Sequence, residues 1–224
     1  MVGLLDEAGR ERVRAAVHAA EADTAGEIVT AAAQRSDSYH DAALHYAVAL
    51  MLLPPVLAAA WPDFANRLAT LLANDWLGST TRDLLLGIFA LQIFVFLLVR
   101  LLLAQPRLRF ALTPKATRRR RVRRRALELF RVSAEARTTG RTGILVYVSL
   151  DEHMAEIIAD TAIHTRVRPE EWGEAMAALV AQVSDGRLAE GMAAAVERVG
   201  IILKSHLPRQ PHDVNELSDR MIEL

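Results

Sequence analysis

The chain has 224 residues, 52% of them hydrophobic, and a mean hydropathy of +0.16, which is high for a soluble domain and low for a channel or transporter. Its 27 basic and 27 acidic residues balance, which argues against a globally basic nucleic-acid-binding protein. The absence of cysteine excludes disulfides and cysteine-ligated zinc sites.

The N-terminal segment predicts one helix followed by one strand. Leu5, Val13 and Val17 recur at helical spacing, and Gly26 follows as a stop signal. Residues 27–33 (EIVTAAA) begin with residues that favour a strand. Charged residues interrupt the N-terminal segment, so we expect no signal peptide there.

Two apolar runs, residues 42–61 and 84–104, have the length needed to cross a hydrocarbon core of about 30 Å. Roughly sixteen Leu, Ile, Val or Phe residues in the second run favour insertion by roughly 5–10 kcal/mol. Arg100 opposes insertion by at most about 3 kcal/mol and lies near the end of the run, where its side chain can reach the headgroups. Insertion therefore outweighs the alternative, a buried helix of a soluble protein.

The first run is rich in alanine and contains Pro54 and Pro55, which predict a kink. Trp61 fits an interfacial anchor. We expect a full span, with a re-entrant segment as the alternative. Two crossings are preferred because they leave both soluble parts on one side.

A dense basic segment follows the second run, whereas the connector between the runs has two arginines and three aspartates. By the positive-inside rule, we expect two spans in the cytoplasmic (inner) membrane, with both termini in the cytoplasm. The predicted membrane-surface residues are Arg107, Arg109, Arg118, Arg119, Arg120, Arg121, Arg123, Arg124 and Arg125.

These arginines have two compatible functions, which are binding of anionic headgroups and fixing of topology. Nucleic acid is not expected as a partner because no aromatic residues interleave with the basic segment. The expected partners are the bilayer and another membrane or envelope protein.

The second soluble segment predicts helices and a buried strand. Thr113 and Pro114 are typical of a helix start, and this helix should extend to about residue 136. Residues 143–150 (GILVYVSL) are typical of a central strand, and residues 152–160 predict a second strand. Two further helices are expected before residue 208, and a capping-box pattern predicts a short C-terminal helix starting at Asp213.

Neither soluble segment is a credible domain alone, because a lone strand exposes both edges. We predict one α/β domain with a small sheet of three to four strands between helices, interrupted by a two-helix transmembrane hairpin. Its predicted parts are residues 1–35, the hairpin at 36–106, residues 107–208, and a tail at 209–224.

Three stretches resemble the TPM domain family: Gly26-Glu27-Ile28-Val29, the RTGILVYVSL sequence ending at residue 150, and the strand at 152–160. The similarity covers residues 4–35 and 114–207, and is greatest to bacterial membrane proteins with a hairpin after the first strand. The resemblance implies an α/β sandwich, and some family members are described as acid phosphatases or calcium binders. This chain departs from the family at residues 160–163, where many members have a glycine-rich turn.

The acids Asp151, Glu152 and Asp160 are the candidate ligands for a divalent cation such as calcium or magnesium. In a continuous strand, Glu152, Glu156 and Asp160 would share one face and Asp151 would lie on the other. Solvated charges at a turn and a sheet edge are the alternative interpretation.

The leading hypothesis is a membrane-anchored, non-enzymatic interaction or envelope-maintenance module. The alternatives are a metal-assisted, acid-phosphatase-like hydrolase and an anionic-lipid-binding module that uses the arginine-rich helix. No catalytic residue is assigned, because the sequence has no phosphate-binding glycine loop, His-Glu-x-x-His motif or Gly-x-Ser-x-Gly motif.

Overall fold

The computed structural model describes residues 3–72, 80–135, 142–209 and 216–224. The chain forms two compact units. The first, which we call the α/β unit, comprises Met1–Asp37 and Lys115–Leu224. The second, the apolar unit, comprises Ser38–Pro114 and is therefore an insertion within the first.

In chain order, the elements are α1 (Glu7–Glu21), β1 (Glu27–Ala33), α2 (His40–Met51), α3 (Leu53–Ala60), α4 (Pro62–Leu72), α5 (Thr81–Leu102), α6 (Pro106–Leu112), α7 (Lys115–Phe130), a π-helical turn (Arg131–Glu135), β2 (Gly143–Ser149), β3 (Met154–Ala159), α8 (Thr161–His164), α9 (Pro169–Val183), α10 (Leu188–His206) and β4 (Ile222–Glu223).

The α/β unit contains a four-stranded sheet in the order β3-β2-β1-β4. β1 and β2 are parallel, with Glu27 opposite Gly143 and Ala33 opposite Ser149. β3 runs antiparallel to β2, and β4 runs parallel to β1. The predicted pairing of residues 27–33 with the later strand is therefore confirmed, as is a small sheet in a mixed α/β fold.

Helices cover both faces of this sheet, as the alternation of side chains along the strands requires. Ile28 of β1 and Val146 of β2 point into a core formed with α1, α9 and α10. Val29, next to Ile28, and Leu145, next to Val146, lie on the opposite face and pack against α7 and the π-helical turn. Both central strands are buried along their whole length, as expected of strands covered on both faces, and their sequences are mainly apolar.

The structure corrects several predicted boundaries. β3 begins at Met154 rather than at residue 152, because the chain turns at His153, which has a φ of 50°. α7 ends at Phe130 and continues as the π-helical turn instead of an α-helix to residue 136. The Thr113 hydroxyl donates to the Arg109 carbonyl of α6, a helix that the sequence analysis did not predict.

The C-terminal segment also differs from expectation. Asp213, the predicted start of a helix, lies outside the described residues. Ile222 and Glu223 instead form β4 on the edge of β1. The Glu223 carboxylate binds Arg10 of α1, with its Oε1 2.5 Å from Arg10 Nε, so this strand is tied to both the sheet and a helix.

The apolar unit is built from α2 to α6. The first apolar run breaks at Leu52 into α2 and α3, immediately before Pro54 and Pro55, which confirms the predicted kink. Small residues are buried in α2 and α5, among them Ala43, Ala47 and Gly87, and these two helices pack together. Small side chains allow such close approach of helices.

Candidate functional site

Polar side chains gather where the parallel strands β1 and β2 end. Ala33 and Ser149 are register partners at the carboxyl ends of the two strands, and both strands are followed by polar residues. In open α/β sheets, ligands bind outside the carboxyl ends of strands. We call Ser36, Tyr147, Ser149 and Glu152 the strand-end cluster.

The cluster is a continuous series of hydrogen bonds. Ser36 Oγ lies 2.9 Å from the Tyr147 hydroxyl and donates to Ser149 Oγ over 2.8 Å. Ser149 Oγ in turn donates to the Glu152 carboxylate, which also accepts from the Ser36 backbone N–H at 3.2 Å. The donors therefore converge on the carboxylate of Glu152.

Burial limits what this cluster can do chemically. Tyr147 and Ser149 are 0% exposed and Glu152 is 4% exposed. Burial raises the pKa of the Tyr147 phenol, although hydrogen bonds with Ser36 and Ser149 oppose this rise. The phenol is therefore protonated at neutral pH, and the Ser149 hydroxyl has no open path to a substrate. The arrangement is that of a structural network that joins two strand ends.

Ion pairs surround the cluster on its outer side. Arg35 binds Asp151, with Nε and Nη2 at 2.8 and 2.6 Å from the same carboxylate oxygen. Arg121 of α7 lies 3.3 Å from Asp37, the last residue before the apolar unit. Lys115, where the chain returns from that unit, is six residues before Arg121 on the same helix, about 9 Å along its axis. The two ends of the insertion are therefore neighbours.

The predicted metal ligands are not brought together. The Asp160 backbone N–H bonds to the Gly143 carbonyl, at the opposite end of β2 from Ser149. The two ends of β2 are six residue steps apart, which corresponds to about 20 Å. Asp160 caps α8, with Oδ1 2.7 Å from the Thr161 N–H, and its buried Oδ2 has no hydrogen-bond partner among the described residues.

Asp151 and Glu152 are neighbours but are engaged in different contacts, the first with Arg35 and the second with Ser36 and Ser149. Within the described ranges, no three histidine, aspartate or glutamate side chains are placed to hold one metal ion. The predicted shared face of Glu152, Glu156 and Asp160 is also absent, because only Glu156 lies within β3. The sequence argument assumed one continuous strand, and the turn at His153 interrupts it.

The structure divides the nine predicted membrane-surface arginines by their contacts. Arg109 is buried, and its Nη1 donates to the Leu103 carbonyl at the end of α5. Arg118 is half-buried and engaged in other contacts. The arginines paired with carboxylates are Arg121 with Asp37, Arg123 with Glu156, and both Arg124 and Arg125 with Glu128.

Arg107, Arg119 and Arg120 remain exposed, without a hydrogen-bond or ion-pair partner in the described part of the chain. Lys115 at the start of α7 has the same status. Some cations of the basic segment therefore form intramolecular ion pairs and others remain exposed. The sequence analysis did not predict which residues belong to each group.

Two helical segments of the apolar unit are long and apolar enough to cross a membrane: His40–Ala60 and Thr81–Leu102. In the most apolar 18-residue stretch of each segment, only 17% and 6%, respectively, is buried within the protein. The exposed side chains on α5 include Phe89, Phe94 and Leu101, which are 60%, 61% and 71% exposed. A core helix of a soluble protein would be mostly buried, so these helices lack the covering expected of one.

Sequence analysis missed Ser36, Tyr147 and Ser149. The available signal was weak, since Tyr147 and Ser149 are merely polar interruptions of an apolar strand and Ser36 follows a different strand. Only the register between β1 and β2 brings them together.

No protein-family model matches this chain, and no curated protein matches it. Among solved structures, the chain is similar to the NMR structure of the BA42 protein from the psychrophilic bacterium Bizionia argentinensis, with a TM-score of 0.57 and 15% sequence identity. The similarity covers 98% of this chain and 95% of that chain. At this identity the similarity shows that the two proteins share a fold, and it says nothing about activity.

Proposed function

We propose that this protein is a membrane-anchored interaction module of the bacterial cytoplasmic membrane. The apolar unit would form a two-span hairpin, and the α/β unit would bind a membrane or envelope protein from the cytoplasmic side. The observation that carries the proposal is the exposure of α5, since only 6% of its most apolar 18-residue stretch is buried. Uncovered apolar surface of this extent is typical of membrane or protein interfaces.

The positions of the insertion's two ends support a hairpin. The ion pair between Asp37 and Arg121 holds the departing chain beside the helix on which it returns. A segment that leaves and returns at one place is consistent with an even number of crossings. The basic residues after α5 favour the cytoplasmic side for both ends.

We further propose that the α/β unit is a TPM-like domain. The sequence resemblance over β1, β2 and β3 supports this assignment, together with helices on both faces of a small sheet. Tyr147, Ser149 and Glu152 of the strand-end cluster are buried. Asp160 lies at the other end of β2 from Asp151 and Glu152, so an interaction role fits the geometry better than hydrolysis.

Membrane insertion and topology are tested together by cysteine labelling in cells. The chain has no cysteine, so single cysteines at Glu11, Glu197 and Arg67 give no background. We expect Glu11→Cys and Glu197→Cys to react only after the cytoplasm is opened, and Arg67→Cys in α4 to react from outside. Labelling of Glu11 and Glu197 from opposite sides would contradict the proposal.

The interaction role is tested by crosslinking in membranes followed by purification of the full chain. A reproducible membrane or envelope protein partner is expected. Recovery of none, combined with divalent-ion-dependent hydrolysis of a phosphate ester that is lost in Asp151→Asn, Glu152→Gln or Asp160→Asn variants, would favour the hydrolase instead.

A further inference from the structure

We propose that Lys115, Arg119 and Arg120, here called the free basic face, bind the headgroups of anionic phospholipids. This inference rests on the proposed membrane anchoring and deepens it. It replaces a broad set of nine arginines with three cations of α7 that have no partner among the described residues.

The paired arginines of α7 are already used within the protein. Arg121 binds Asp37, Arg123 binds Glu156, and Arg124 binds Glu128 at N–O distances of 3.3, 3.4 and 2.9 Å. A carboxylate at such a distance cancels most of the field of the guanidinium toward a more distant anion. These residues are therefore poor candidates for binding phosphate.

The free basic face has the opposite character. Lys115, Arg119 and Arg120 are all exposed, and no described residue accepts a hydrogen bond from them or pairs with them. Lys115 and Arg119 are four residues apart, so they are neighbours on the helix surface, and Arg120 follows directly. Ammonium and guanidinium groups bind phosphate oxygens, the guanidinium often through two parallel hydrogen bonds.

The free basic face directly follows the apolar unit in the sequence. Lys115 is bonded to Pro114, the last residue of that unit, and Arg119 and Arg120 lie within the next two turns. If α5 spans the bilayer, the start of α7 lies within reach of the cytoplasmic headgroups. The negative surface potential of that leaflet falls off within a Debye length, so cations at this position experience it strongly.

The test uses the full chain in nanodiscs of phosphatidylcholine with increasing phosphatidylglycerol. An Ala116→Cys variant carries a fluorophore on the exposed side of α7, and nitroxide-headgroup phosphatidylglycerol or phosphatidylcholine serves as quencher. The ratio of the two association constants measures preference for the anionic headgroup. Removal of one free cation should lower this ratio by roughly fivefold, so Arg119→Gln with Arg120→Gln should lower it by at least about tenfold.

Arg123→Gln with Arg124→Gln is the matched control, because it removes the same charge from the same helix. We expect less than a twofold change there, and Arg119→Lys with Arg120→Lys should retain the preference. Equal losses in the two glutamine variants, or no loss in either, would overturn the proposal. Competition by millimolar inorganic phosphate would indicate a site for free anions, and displacement by duplex DNA would indicate a site for nucleic acid. Either result would also overturn the proposal.

Alkaline carbonate extraction separates this inference from the anchoring. A protein that is extracted but still prefers phosphatidylglycerol would contradict the two-span anchor while retaining the headgroup contact. A protein that resists extraction and shows no preference would retain the anchor and contradict the contact.

Discussion

Ser36 is the residue that joins the ends of two strands. Its hydroxyl contacts both Tyr147 and Ser149, and its backbone N–H bonds to Glu152. Buried polar groups that lose a partner carry most of their desolvation cost. The position of the chain just before the apolar unit therefore depends on one small side chain.

Ser36→Ala should lower the free energy of unfolding by about 1–3 kcal/mol, because the buried hydroxyls of Tyr147 and Ser149 each lose a partner. Chemical denaturation in detergent measures the change. Ser184→Ala is the control, since its exposed hydroxyl donates to the Val180 carbonyl of its own helix, and it should change stability by less than about 0.5 kcal/mol. Equal effects of the two substitutions would contradict a structural network at the strand ends.

Glu21 at the end of α1 predicts a pH dependence of stability. Burial raises its pKa to about 8, the nearby Glu27 and Asp219 add to the rise, and the hydrogen bond from the Ile28 N–H opposes it. Because the folded pKa lies above the ordinary value, this group's contribution is full below about pH 4.5. It is lost as the pH rises to about 8, by up to about 1.4 kcal/mol per pH unit.

Glu21→Gln should therefore flatten the fall in unfolding free energy between about pH 5 and 8, measured by denaturation at a series of pH values. Glu11→Gln on the same helix is the control. Pairing with Arg14 lowers the pKa of Glu11, so it stays ionised throughout this range and its replacement should leave the slope unchanged. Parallel curves for the wild type and Glu21→Gln would contradict the assignment.

At the scale of elements, a glycine sets the distance between α1 and α10. A Cβ on Gly200 would lie 2.7 Å from the Ala20 Cβ and 3.2 Å from its Cα. Neither atom can move without shifting α1. The two helices therefore approach at a distance that only glycine allows at position 200.

Gly200→Ala should destabilise the α/β unit by about 1–3 kcal/mol through overpacking. Gly173→Ala in α9 is the matched control, because among the described residues no atom outside the local helix backbone lies within 4 Å of its Cβ position. There, alanine's higher helix propensity should stabilise the protein by about 0.5–1 kcal/mol. Thermal unfolding should show a lower melting temperature for Gly200→Ala and a higher one for Gly173→Ala. A higher melting temperature for Gly200→Ala would contradict the close packing of α1 and α10.

At the scale of the whole molecule, the α/β unit is continuous in space although the chain divides it. Asp37 and Arg121 bring the two parts together at the insertion point, and β1 pairs with β2 across the gap in sequence. All four strands of this sheet, as described, belong to the α/β unit. Folding of the α/β unit should therefore not require the apolar unit.

Replacement of Ser38–Pro114 by a flexible linker of about eight glycine and serine residues should give a soluble, cooperatively unfolding protein. Such a linker spans about 16 Å on average and up to about 27 Å when extended. It must cover the axial offset of roughly 9 Å between Lys115 and Arg121 together with the ion pair that joins Arg121 to Asp37. Circular dichroism and size-exclusion chromatography check the outcome. An insoluble or unfolded product would mean that the apolar unit is part of the folding core.

Local sequence determined the existence and type of most elements, and the apolar runs, because these depend on periodicity, propensity and hydrophobicity within short windows. The parallel register of β1 and β2, the turn at His153, the separation of Asp160 from Glu152, and the division of the basic segment into paired and free arginines arose only in the tertiary structure. The register joins strands whose paired residues are more than a hundred positions apart, the turn depends on the left-handed φ of 50° at His153, and the pairing of Arg121 with Asp37 joins α7 to the end of the N-terminal segment. No pattern within a single segment carries that information, because burial and pairing are properties of the folded surface.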